Sequence, residues 1–170
     1  MLEIRHFTVE NLPDGCVTDA EQPRFAWALE SDGQNVSVEQ ATLEVNGWST
    51  ITKEQVAVPY KGKRLQPFTC YSTRLTVTDN RGQRANAEAA FETGRMDTPW
   101  EADWITDGSY KFTEKKVSPR PMAFRKCIAL EKKVEKARIY ATAMGIYELT
   151  LNGEKVGADY FAPGFTSYKT

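Results

Sequence analysis

The sequence of 170 residues holds one histidine, three cysteines and no run of 18 apolar residues. Each scarcity removes a class of function. His6 is the single imidazole, so a histidine triad, a His-Glu metal motif or a histidine general base has one candidate member, near the amino terminus. Cys16, Cys70 and Cys127 are odd in number, far apart and without CxxC spacing. That argues for three reduced thiols and against a disulfide framework or a zinc site. Without a long apolar run no helix can cross a bilayer, and no membrane partner is expected. The opening Met1-Leu2-Glu3-Ile4-Arg5-His6 has neither the basic nor the apolar region of a signal peptide. The chain as written is expected in the cytoplasm, and an extracellular or periplasmic place requires a leader removed upstream.

What is present suits a folded chain: 41% hydrophobic and 26% charged residues are enough for a core and leave no disorder signature. A net charge of −1 conceals an asymmetry. Residues 1–110 balance to −7, residues 111–138 to +7 and residues 139–170 to −1. The basic stretch spreads along a loop and then alternates with Phe124, Ile128 and Leu130, without an aromatic-interleaved RNA motif. It reads as a solvated face, or one that docks on an acidic neighbour, and no nucleic-acid partner is expected.

Period-two alternation recurs along the first hundred residues. Ile4–Glu10 is a strand candidate closed by Asn11-Leu12-Pro13-Asp14-Gly15; Phe25, Trp27 and Leu29 then share a face, as do Ala41, Leu43 and Val45 before Asn46-Gly47. A weaker pair lies around Ile51 and Val56–Val58. Leu65-Gln66-Pro67-Phe68-Thr69-Cys70-Tyr71 leads into a strand with Tyr71, Thr73, Leu75 and Val77 on one side. A tyrosine there can tie its hydroxyl to upstream backbone and pin the corner between two sheets. Asp79-Asn80-Arg81-Gly82 turns the chain into a return strand from Ala85 to Thr93. Turn signals every 8–12 residues with no long helical pattern specify a β-sandwich of about seven strands. The LxPxTxY run resembles the hallmark of fibronectin type III modules. The expected fold is all-β: a fibronectin type III or immunoglobulin-like sandwich over residues 1–94, a linker over 95–122, and a partial, jelly-roll-like second β-sandwich over 123–170.

In that second part Phe124, Ile128 and Leu130 share a face, and Ala137, Ile139 and Ala141 alternate with Arg138, Tyr140 and Thr142. Leu130–Arg138 has helix-forming composition but is too short to be stable alone. Tyr147, Leu149 and Leu151 run into Asn152-Gly153, a strong hairpin signal. Four strands are expected, too few to close a two-layer sandwich, so the second domain reads as truncated, with open sheet edges through which the chain would self-associate.

Candidate site residues are few. Asp97, Glu101 and Asp103 lie in linker sequence with nothing to set a working separation. Asp159 and Tyr168 stand in a loop whose carboxylate could accept from sugar hydroxyls and whose aromatic face could stack on a ring; a hairpin loop packed against neighbouring strands is the favoured reading, and neither residue is assigned. Of the tryptophans, Trp27 belongs to the core, Trp100 and Trp104 flank the linker as a weld between domains, and Trp48 is the only one that could be exposed, with packing favoured over binding.

Taken in order, Phe91-Glu92-Thr93-Gly94, Trp100-Glu101-Ala102-Asp103-Trp104-Ile105, Phe124-Arg125-Lys126, Ala137-Arg138-Ile139-Tyr140, Gly145-Ile146-Tyr147-Glu148-Leu149-Thr150-Leu151-Asn152-Gly153-Glu154-Lys155-Val156-Gly157 and Pro163-Gly164-Phe165-Thr166-Ser167-Tyr168 resemble the N-terminal region of bacterial α-L-rhamnosidases. The resemblance implies small β domains ahead of an (α/α)6 barrel and a C-terminal β domain. It implies inverting hydrolysis of terminal α-L-rhamnose on that barrel, by an acid and a base carboxylate about 6.5–9.5 Å apart. No acid here matches the catalytic motifs, so no catalytic, cofactor-binding or metal residue is assigned. The implied partners are a downstream catalytic domain and, for the longer protein, a rhamnosylated glycan. No cofactor is expected on this chain, and calcium is implied only for the longer protein. The alternatives are a carbohydrate-binding module without catalysis and a fibronectin-type interaction protein.

Overall fold

A strand that buries one face must place an apolar residue at every second position, and the first half of the chain does so repeatedly. The computed structural model describes residues 1–108 and 121–164. The chain divides into two units, Met1–Ile105 and Thr106–Thr170. Among the described residues every regular element is a strand.

The first unit contains β1 (Leu2–Val9), β2 (Cys16–Thr18), β3 (Arg24–Ser31), β4 (Val38–Val45), β5 (Trp48–Thr52), β6 (Val58–Pro59), β7 (Cys70–Asp79) and β8 (Arg84–Thr93). They form a three-stranded sheet in the order β1-β3-β6 and a five-stranded sheet in the order β2-β8-β7-β4-β5. Inward residues of both sheets make one core, in which Phe25, Leu43, Leu75, Val77 and Phe91 are essentially sealed from solvent. Phe91 meets Phe25 edge-on and stacks on Tyr71, joining the two layers.

Strand β1 shows how a local irregularity rescues the pattern. Leu2 and Ile4 point inward, but so do Phe7 and Val9, a switch of parity. The pairing with β3 jumps between Arg5 and Thr8, so His6 and Phe7 together oppose Trp27. His6 takes a left-handed φ of 50° in this bulge. Its imidazole is exposed on a strand, away from any cluster of catalytic type.

The corner before β7 is tied as the tyrosine motif predicts. The Gln66 backbone N–H donates to the Tyr71 hydroxyl at 2.7 Å. Buried Thr93 locks the other side: its hydroxyl donates to Gln66 O at 2.5 Å and accepts from Thr69 N at 2.9 Å. At the opposite end, Asp79 closes the β7–β8 hairpin by accepting from the backbone N–H groups of Arg81 and Gln83.

Two features of this unit escape the sequence. Cys16–Thr18 pairs in parallel with Phe91–Thr93, yet three residues are too few to show a period. Residues 95–98, read as the start of a linker, are fastened to the sandwich, as detailed below.

The second unit departs further from expectation. Its described strands are β9 (Thr150–Leu151) and β10 (Glu154–Lys155), one hairpin where four strands are expected. Asn152 and Gly153 both adopt positive φ, 53° and 91°, the requirement of the two-residue turn. A separate bridge joins Tyr147 to Ala162. No strand forms at 123–130 or 137–142, and Leu130–Arg138 is not helical. The physical reason is that alternation supplies a face but no partner. Only a tight turn brings two strands together locally, and Ile128 and Leu130, 71% and 68% exposed, have no layer to cover them.

Candidate functional site

The residues singled out for chemistry do not converge. Asp97 is engaged by Arg64, whose guanidinium lies 2.7 Å from its carboxylate. Glu101 and Asp103, two positions apart in the first unit, are exposed, as is Asp159 in the second. Tyr168 lies outside the described residues, as do Lys115, Lys116 and Pro119 of the basic loop. No group of three or more His, Cys, Asp or Glu side chains among the described residues is placed to hold a metal ion. The three cysteines are free thiols; burial pushes the Cys16 thiol up from its ordinary value, the opposite of activation.

The first unit does offer one polar depression on the outer face of the five-stranded sheet. Glu44, Arg74 and Glu88 stand side by side on β4, β7 and β8, with Asp14 and Asn46 also at the lining. Arg74 pairs with Glu88 at 2.9 Å. The depression is shallow and open, and it leaves no carboxylate in the apolar, desolvated setting that a general acid needs.

The tryptophans divide between core and surface. Trp27 is buried in the core. Trp48 is half-buried and packs edge-on against Tyr60 at 4.8 Å. The exposed pair is instead Trp100 and Trp104, at 45% and 65%. The Arg95 guanidinium lies 3.9 Å from the centre of the Trp100 ring.

In the second unit the notable surface is apolar. Phe124, Ile128, Leu130, Ile139, Ile146 and Phe161 are all more than half exposed. The hairpin itself carries the Leu151-Asn152-Gly153-Glu154-Lys155 part of the motif string, with the Lys155 ammonium 3.3 Å from the centre of the Tyr160 ring.

Residues 4–97, more than half of the chain, match the Rha78A-like N-terminal immunoglobulin domain. The chain belongs to that family. Residues 132–170 match a second family, the α-L-rhamnosidase N-terminal domain. An α-L-rhamnosidase from Formosa agariphila is 29% identical over 185 aligned residues, which cover 88% of this chain and 19% of that protein. The crystal structure of Streptomyces avermitilis α-L-rhamnosidase complexed with L-rhamnose aligns with a TM-score of 0.57 at 26% identity, over 62% of this chain and 12% of that one. The native rhamnosidase of Aspergillus terreus aligns over 99% of this chain and 21% of its own, with a TM-score of 0.62 and 16% identity, a likeness of fold. The chain thus spans about one fifth of the length of its curated relatives.

The Rha78A-like immunoglobulin match takes in the strands of the first unit and runs past the last of them to residue 97. Those additional residues, rather than any acid pair, are what sequence reasoning passed over. The signal was Gly94, a glycine followed four residues later by Thr98-Pro99 and read simply as a stop.

Proposed function

We propose that residues 1–170 are a non-catalytic N-terminal part of an α-L-rhamnosidase, a glycosidase whose acid and base lie on a downstream domain. The observation that carries this reading is the order of the two family matches, 4–97 and then 132–170, within relatives about five times longer. The scattered carboxylates support it from the other side, because inverting hydrolysis needs two of them facing across a substrate. The exposed apolar side chains between Phe124 and Phe161 are the surface on which the downstream chain packs. A rhamnosylated glycan is then the substrate of the longer protein and not a ligand of this region, which works without a cofactor of its own. Calcium is implied by the resemblance alone, for the longer protein.

The test is an assay of the purified chain with an aryl α-L-rhamnoside, together with rhamnose titration by calorimetry. No turnover and no heat of binding are expected. Turnover would overturn the non-catalytic reading, and a saturable rhamnose isotherm would replace it with a carbohydrate-binding module. As part of the same proposal, the uncovered strands should drive self-association of the isolated chain. Light scattering should show mass rising with concentration; a monodisperse monomer with protected amides over 123–157 would refute that part.

A further inference from the structure

The structure assigns residues Gly94–Trp100 to the first domain as a rigid exit arm, which fixes the direction in which the chain leaves the sandwich. This inference does not depend on the rhamnosidase reading. Four ties hold the arm. Gly94 N donates to Thr18 O at 3.0 Å, and Phe68 N donates to Gly94 O at 3.0 Å. Met96 N donates to the Asp19 carboxylate at 2.8 Å. Asp97 accepts from Arg64, which also reaches Glu21. The arm then turns on itself, with Thr98 N donating to Arg95 O, the Arg95 side chain donating to Thr98 O, and the same guanidinium over Trp100.

The backbone at this point is adapted to the contact. Gly94 is buried, and a Cβ there would stand 2.5 Å from Asp19 Oδ1 and 3.4 Å from a Val17 methyl. A larger residue would therefore push the carboxylate off the Met96 amide. Met96 takes a left-handed φ of 50°, which a non-glycine residue holds only when its surroundings impose it. Its side chain packs against the core, so the arm is anchored by burial as well as by polar ties. The exposed Arg64 pair adds little alone, and the weight falls on Asp19 and Gly94.

Amide hydrogen exchange on the whole 170-residue chain tests this. The Met96 amide should exchange well below the rate of an unprotected peptide. Asp19→Ala and Gly94→Ala should each speed it about tenfold, the loss of one hydrogen bond to a charged acceptor. Amides of Leu75 and Val77 should keep their rates in both variants, which separates release of the arm from unfolding. Nitroxides at Thr42→Cys and Glu101→Cys, with the three native cysteines replaced by serine, should give one narrow distance distribution that broadens in Asp19→Ala. A Met96 amide already unprotected in the unsubstituted chain, or one unmoved by both variants, overturns the arm. So does a broad distance distribution before substitution.

Discussion

Removing one oxygen from Tyr71 isolates the contribution of the corner. In Tyr71→Phe the ring still stacks on Phe91, whose centroid is 5.3 Å away with an interplanar angle of 18°. Packing is retained and only the hydroxyl is lost. What changes is Gln66 N–H, which donates to that hydroxyl at 2.7 Å in a part-buried setting. The net value of such a bond is about 1 kcal/mol, and a donor left unpaired in a part-buried setting adds to it, so the loss should be about 1.5 kcal/mol. For a domain of this size that corresponds to a fall in Tm of roughly 6–12 °C. Urea unfolding followed by tryptophan fluorescence should show a lower midpoint at unchanged slope, because the surface exposed on unfolding is the same. Tyr71→Ala provides the scale, since it also removes the ring and should cost about 3–5 kcal/mol. A loss below about 0.5 kcal/mol for Tyr71→Phe would mean that Thr93 alone holds the corner, and the assignment of the hydroxyl would be wrong.

Thr93→Val tests that second tie: it keeps shape but deletes the hydroxyl that serves Gln66 O and Thr69 N, and about 2 kcal/mol should be lost in the same assay. Glu10→Gln should cost about 1 kcal/mol at pH 7, because Glu10 accepts from the Arg24 side chain and backbone. The hydrogen bond from Arg24 lowers the Glu10 pKa in the folded state. Its stabilisation is therefore present above the unfolded carboxylate value, about 4.3, and is lost as pH falls through the lower folded value. The gap between Glu10→Gln and the unsubstituted chain should close over that acid window in pH-dependent melts. Gly47→Ala should cost about 1 kcal/mol from backbone strain alone, since Gly47 has a φ of +86° and a Cβ there would meet nothing. Calcium at millimolar concentration should leave Tm unmoved; a rise would point to a cation site within this region.

The sandwich was legible because burial and turn chemistry leave local marks. Phe25-Ala26-Trp27 and Leu43-Glu44-Val45 alternate over a length that admits a two-residue period, while Asn46-Gly47 marks the β4–β5 hairpin and Asp79–Gly82 the β7–β8 hairpin. The tyrosine tie was legible because Leu65, Pro67 and Tyr71 stand at fixed offsets. By contrast, β2 owes its position to Gly15, whose N–H donates to Ala90 O, and to Asp14, which accepts from Ala90 N. Those partners lie about 75 positions along the chain, beyond the reach of any local pattern. The arm was hidden for the same reason: Asp19 and Met96 are 77 positions apart. In the second unit the period-two segments around Ile128 and Ile139 state which side faces inward, but strand formation needs a neighbour that alternation does not supply. The hairpin at Asn152-Gly153 survived because its partner is two residues away.

The parallel pairing of Cys16–Thr18 with Phe91–Thr93 also bears on how the domain responds to tension. When two parallel strands are drawn apart, one by its leading end and the other by its trailing end, the load falls on all their hydrogen bonds at once and the ladder cannot unzip. The short β2 therefore makes a shear clasp where the polypeptide passes out of the sandwich. A hinge of antiparallel strands at that place would peel open one bond at a time.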